Sequence, residues 1–139
     1  MNYLSLKKYI IIFFLFSLFN TYSQQQGLDN LNIEIIKVSD VLNLQKSGGF
    51  TTYPYYGIFV MIKLNIENTD DENINLDFGK FYVVDEIGDK YSFTSFYGFA
   101  SIKKKLKPGK SIKRILYFDF PSDAIPKLLL INDKKISLE

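Results

Sequence analysis

The chain has 139 residues, with 17 Lys+Arg against 15 Asp+Glu, and contains neither His nor Cys. Without imidazole or thiol it has no side chain that titrates near neutrality unperturbed, no thiolate nucleophile, no disulfide and none of the common zinc ligand sets. These absences argue against most hydrolytic and redox chemistry and predict a fold held together by its core alone.

At the N-terminus, Lys7 and Lys8 precede an unbroken apolar block from Tyr9 to Phe16, extended past Ser17 by Leu18 and Phe19. Thr21-Tyr22-Ser23 then sets small side chains three residues and one residue before Gln24. A basic start, a short apolar stretch and a small-residue cleavage site are the layout of a secretory signal peptide. Residues 1–23 are therefore expected to be a cleavable signal helix, 24–30 a short polar linker and 31–139 the working domain. A retained membrane helix would need about 20 apolar residues, and polar Asn20, Thr21 and Ser23 cut the block short. No stable membrane span is expected after cleavage. Lys7 and Lys8 are the only charges before Gln24, so their removal leaves equal numbers of acidic and basic residues. No general basic character remains to suggest nucleic acid as a partner.

From Leu31 onward the pattern is β. Leu31, Ile33 and Ile35 alternate with Asn32 and Glu34, the period of a half-buried strand. Ile58, Val60, Ile62, Leu64 and Ile66 share one face of a second strand, with Lys63, Asn65 and Glu67 on the other. Asn68 to Asn73 breaks this run with side chains that bond their own backbone in turns. Short strands follow at Ile74 to Phe78, Phe81 to Asp85 and Lys90 to Phe93, the last two joined by Glu86-Ile87-Gly88-Asp89. Lys107-Pro108-Gly109-Lys110 reads as a type II turn, with proline presetting one central dihedral and glycine accepting the positive φ of the next. Ser111 to Phe120 forms a strand that Pro121 ends, and Leu128 to Ile131 pairs with Ile136 to Leu138 across Asn132 to Lys135. Ser122 to Ile125 has room for a single turn. About seven short strands with turn signals between them predict an all-β, immunoglobulin-like β-sandwich.

The order of these elements resembles a known family. Ile58 to Thr69 with its acidic turn, the hairpin Phe81 to Tyr91, the run Leu106-Lys107-Pro108-Gly109-Lys110-Ser111 and the segment Leu116 to Pro121 are similar to successive motifs of a bacterial secreted family. Its members are immunoglobulin-like extracellular domains of unknown function, similar in fold to the mycobacterial immunoprotective extracellular antigen. The resemblance spans residues 31–131 and implies a fold and an extracytoplasmic setting, with no catalytic residues to carry over. Arg114 stands where the family often has a small residue, and the aromatic segment Phe50 to Tyr56 is peculiar to this chain.

Three clusters are candidate sites. The acidic stretch from Glu67 to Asp89 offers oxygens for a hard cation but lacks EF-hand spacing, and a solvated turn explains it equally. Lys103, Lys104, Lys105 and Lys107, with Lys110, Lys113 and Arg114, could contact an anionic surface, or shield an edge strand from pairing. The aromatics Tyr53, Tyr55, Tyr56, Phe96 and Tyr97 crowd two irregular segments and offer flat area for stacking on a sugar or a protein partner. The alternative is that they cap the core. No catalytic residue, metal site or cofactor is expected. The composite expectation is a secreted or periplasmic binding module for an envelope protein or glycan. The alternative is a structural or protective envelope protein that assembles through charged strand edges.

Overall fold

The computed structural model describes residues 28–45, 48–94 and 102–139. The predicted leader, residues 24–27 of the linker, and Phe96 and Tyr97 lie outside them.

Two sheets face each other. The first is formed by β1 (Leu31–Val41), β4 (Gly57–Asn68) and β9 (Ser111–Pro121), in the order β1-β4-β9. The second holds β6 (Phe81–Asp85), β7 (Lys90–Ser92), β10 (Pro126–Ile131) and β11 (Lys134–Ser137), in the order β11-β10-β6-β7. All pairings are antiparallel. Two short ribbons complete the architecture: β2 (Leu44–Gln45) with β3 (Thr51–Thr52), and β5 (Ile74–Asp77) with β8 (Lys103–Leu106). The β-sandwich expected from the sequence is thus present, its two main sheets supplying seven strands and the ribbons four more.

The core follows from the alternation. Val60, Ile62, Leu64 and Ile66 of β4 are fully buried against Leu116, Phe118 and Phe120 of β9 and against Phe81, Val83, Leu129 and Ile131 of the facing sheet. Burying each such side chain is worth about 1.5–3 kcal/mol relative to exposure. The β5–β8 ribbon adds Ile74, Leu76 and Leu106, and the 3-10 turn Phe78–Lys80 adds Phe78. Along one side the sandwich closes. Phe93 bonds back to the Phe81 carbonyl (3.2 Å), while Thr94 donates to the Tyr117 carbonyl (2.8 Å), so the chain leaves one sheet and joins the other within two residues.

Several turns behave as their residues predict. Gly109 adopts φ +65°, and Lys110 donates to the Lys107 carbonyl at 3.1 Å. Others differ in detail. The strand of Ser111 includes Pro121, which pairs with Gly57 at its very end, where a missing N–H costs least. The C-terminal hairpin is tighter than expected, because Asn132 takes φ +51° and lets Lys134 pair directly with Ile131. The register slips by one residue at Ile36, a bulge that turns Val38 back toward Ile62.

Candidate functional site

The strand directions sort the connections into two ends. Where β4 finishes, Asn68 donates its amide to the Lys110 carbonyl (2.9 Å) and its carbonyl receives Gly109 N–H (3.0 Å). Thr69 bonds to Asn30 there (2.8 Å), so the chain enters the sandwich at this end, among Asn, Asp and Lys side chains. Where β4 begins, roughly 36 Å away by the usual strand rise, lie residues 42–45 and 48–56 and the turns after β6 and β9.

That second end is aromatic and apolar. Tyr53 is 70% exposed, Tyr55 87% and Tyr56 58%, and Leu42, Phe50, Ile87 and Ile125 are exposed beside them or on the adjoining turns. The tyrosines sit on a fixed backbone. Both carboxylate oxygens of Asp119 on β9 accept from it, one from the Tyr55 amide (2.6 Å) and one from the Tyr56 amide (2.8 Å). Gly57 follows with φ +138°, passing so close to Ser122 that a Cβ there would lie 3.1 Å from its amide nitrogen. Upstream, the β2–β3 ribbon folds over the outer face of the first sheet and Leu44 buries Phe59 with Val41 and Tyr117.

The tyrosines differ in their attachment. Among the described residues Tyr55 meets the ring of Tyr56, edge-on at 5.0 Å. Tyr56 continues to Tyr91 (6.3 Å), whose ring lies 4.5 Å from Phe120 in the core. Tyr91 in turn donates its hydroxyl to Asp85 (3.1 Å), a buried carboxylate that also accepts the amides of Ile87 (3.1 Å) and Asp89 (2.8 Å). Burial pushes the Asp85 carboxyl upward, but the hydrogen bonds from Asp89, Tyr91 and Ile87 outweigh it and hold the group below the ordinary carboxylate value. Burial, and then the bond to Asp85, raises the Tyr91 hydroxyl above its usual value. This carboxylate builds the β6–β7 turn that carries Ile87 and faces the tyrosine segment, a structural duty that the turn reading Glu86 to Asp89 did not include.

The basic residues are placed elsewhere. Lys103, Lys104 and Lys105 are exposed on β8, opposite Asp77, Leu76 and Asn75 of β5, and Lys107 lies in the turn at the Asn68 end. They are not brought together with Tyr53, Tyr55 and Tyr56. In the acidic turn, Asp70 accepts from Asn30 (2.8 Å) and from the Asp71 amide (2.8 Å), so its oxygens serve the turn itself. Among the described residues no group of three or more carboxylates is arranged to hold a metal ion.

One feature of the surface escaped the sequence reading. The outer face of the second sheet carries Val84, Leu128 and Leu130 in a groove of about 850 Å³. The signal was present in Leu128-Leu129-Leu130-Ile131, four apolar residues without alternation, as in strands covered on both faces.

The comparisons with known proteins give a family and a fold. The model of a domain of unknown function, DUF4352, matches residues 24–138. The chain belongs to this family. Among solved structures, a conserved hypothetical protein from Bacillus anthracis is similar at a TM-score of 0.62 and 18% identity, over 82% of this chain and 91% of that one. The yjhA protein from Bacillus subtilis is similar at 0.53 and 17% identity, over 79% and 78% respectively. At such identities the likeness concerns the fold alone. No curated protein matches the chain. Among the described residues no helix is long and apolar enough to cross a membrane, which says nothing of β-barrels.

Proposed function

We propose that this DUF4352 protein is an exported, non-catalytic interaction module, immunoglobulin-like and akin in fold to the mycobacterial immunoprotective extracellular antigen, which recognises an envelope glycan or protein through its aromatic end. One observation carries the reading: Tyr55 and Tyr56 are exposed on a backbone that Asp119 holds with two short hydrogen bonds, and exposed Tyr53 stands two residues before them. A contact surface gains most when its aromatic groups are fixed before binding, because less ordering entropy is then lost on association. Export is supported by the leader-like residues 1–23 and by a family match that begins at residue 24. The absence of His and Cys supports a role without chemistry.

The chain has no Trp, and Tyr53, Tyr55 and Tyr56 are three of the seven tyrosines in residues 24–139, so tyrosine emission includes a contribution from this end. Titration with solubilised envelope glycan, and separately with the envelope protein fraction, should give saturable quenching with one of them. Tyr53→Ala/Tyr55→Ala should abolish binding, read by co-sedimentation because the variant lacks two of the emitting rings, while the unfolding midpoint stays put. Equal binding by wild type and variant, or no binding to either fraction, refutes the assignment.

A further inference from the structure

The ribbon of β5 and β8 gathers lysines that are far apart in sequence. Lys103 lies opposite Asp77 and Lys105 opposite Asn75, so both stand on one face, about 7 Å apart along the strand. Lys104, between them, stands opposite Leu76. The Phe78 amide donates to the Ile102 carbonyl (2.9 Å) and so draws the 3-10 turn, with Lys80 at its end, to the start of β8. These four exposed lysines line one cleft of about 480 Å³. We propose that the cleft binds a linear phosphodiester polymer of sugar or polyol units.

The charge balance selects an anion. Among the described residues Asp77 is the one carboxylate of the lining, and its bond from the Gly79 amide (3.1 Å) leaves its charge in place. Four lysines therefore outweigh a single negative group. Asp70, Asp71 and Glu72 belong to the turn beyond the opposite end of the ribbon, where Ile74 pairs with Leu106, and Lys107 and Lys110 share that end. Arg114 adds a cation beside the 3-10 turn, its guanidinium 5.8 Å from the centre of the Phe78 ring. Among the described residues Lys80, Lys104, Lys105 and Arg114 form no ion pair. Shielding of an edge strand accounts for lysines on β8, but not for Lys80, which reaches the cleft from another element.

The kind of cation and the shape narrow the partner. All four lining cations are lysines, point charges that suit the tetrahedral oxygens of phosphate, whereas a planar carboxylate is matched best by the arginine fork. A bilayer presents its head groups in a plane and cannot enter a cleft, while a single chain can. The lining contains no aromatic ring on which a base would stack, which favours sugar or polyol phosphates over nucleic acid. One exposed lysine–phosphate pair shifts an equilibrium by about fivefold at most, so a lone phosphate gains little. A chain whose charges recur at intervals like that between Lys103 and Lys105 engages several lysines at once. The cleft is separate from the tyrosine end and does not depend on its reading.

Amide chemical shifts of residues 24–139 at low salt test the proposal with four probes. These are an abasic deoxyribose-phosphate oligomer, an oligothymidylate of equal length, polyglutamate of equal charge and phosphatidylglycerol vesicles. The abasic oligomer is expected to bind saturably, with shifts centred on Lys80 and Lys103 to Lys105. It should bind as tightly as oligothymidylate and more tightly than polyglutamate. Its affinity should fall with salt at a log–log slope of about −2 to −3, as when three or four phosphates are neutralised. Lys80→Ser/Lys104→Ser should weaken it about tenfold and reduce that slope by about 1.4. Lys90→Ser/Lys135→Ser removes the same charge from the four-stranded sheet and should change the affinity by less than about twofold. The same spectra show whether both variants keep the fold. No saturable binding, tighter binding of oligothymidylate, equal or tighter binding of polyglutamate, binding of vesicles alone, or equal weakening by the two variants each overturns the assignment.

Discussion

Asn68 is the side chain whose loss the fold should feel most out of proportion to its size. It is 0% exposed, and its amide nitrogen donates to two carbonyls, Glu72 (2.7 Å) and Leu106 (3.0 Å), while its oxygen accepts the Asp70 amide (2.9 Å). It thereby fastens the end of β4 to the acidic turn and to the β5–β8 ribbon in one move. In Asn68→Ala the Leu106 carbonyl stays buried without that donor, at a cost of about 1–3 kcal/mol, and two partly buried bonds are lost at about 0.5–1.5 kcal/mol each. Water reaching the turn recovers part of the latter, so the expected destabilisation is about 2–4 kcal/mol. For a domain of this size that lowers the midpoint by roughly 10 °C, measured by thermal circular dichroism together with urea titration. Asn68→Asp sharpens the test. A buried carboxylate would face two carbonyl oxygens at neutral pH, whereas its protonated form regains one donor, so this variant should gain stability relative to Asn68→Ala as pH falls toward 4. A loss under about 0.5 kcal/mol in Asn68→Ala, or no such gain in Asn68→Asp, would refute the claim that this amide joins the three elements.

The remaining predictions concern acid, backbone and ring. Asp85 and Asp70 both sit below the ordinary carboxylate value, Asp70 chiefly through the Asn30 side chain. Stability should therefore be complete above about pH 4, their unfolded value, and fall as pH drops through the folded ones. Tyr91 is raised, so its contribution should persist up to about pH 10 and disappear as pH climbs through its folded value. Asp85→Asn should shallow the acid limb and bring the Tyr91 titration back toward 10, followed by tyrosinate absorbance. Gly57→Ala should destabilise by more than about 1 kcal/mol, because the new methyl meets the Ser122 amide at φ +138°; an unchanged urea midpoint would contradict this. Tyr55→Ala should leave stability within about 0.5 kcal/mol. Tyr56→Ala should cost about 1 kcal/mol for its ring contact with Tyr91, and equal melting of the two variants would dissolve the distinction between contact surface and anchor.

The strands that could be read from the sequence are those in which one face is core and the other water. β4 is the plainest, since Val60, Ile62, Leu64 and Ile66 are buried and Lys63, Asn65 and Glu67 are not. β8 was not legible as a strand. Lysine has little intrinsic β preference, and Lys103 to Lys105 are extended only because Asp77, Leu76 and Asn75, far off in sequence, stand opposite them. β2 and β3 were hidden for a related reason. Their role is to cover Phe59, an aromatic on the polar face of β4 whose need for a lid becomes evident only once the sheet exists. Tyr53, Tyr55 and Tyr56 were visible as a cluster, but composition alone could not separate exposed rings from core caps. Asp119 made the difference, and nothing in its local sequence announces a carboxylate that reaches back to residues 55 and 56.

The two ends of the sandwich have opposite characters, and this bears on the proposed function. Asn30 is tied to the Asn68 turn by its carbonyl, which Thr69 approaches with both amide and hydroxyl, and by its side chain, which donates to Asp70. The first described residues therefore sit among Asn, Asp and Lys side chains. The tyrosines lie at the far end of β4, roughly 36 Å along it. An antiparallel strand of twelve residues is stiff on this scale, so any attachment at the first end holds the second one outward. Reversing the two characters would place exposed aromatic surface beside the point of attachment, where it would be shielded from a partner. Under the proposed function, the length of β4 would set the distance at which the rings are presented, and the hydrogen bonds of Asp119 would fix the backbone of Tyr55 and Tyr56 there.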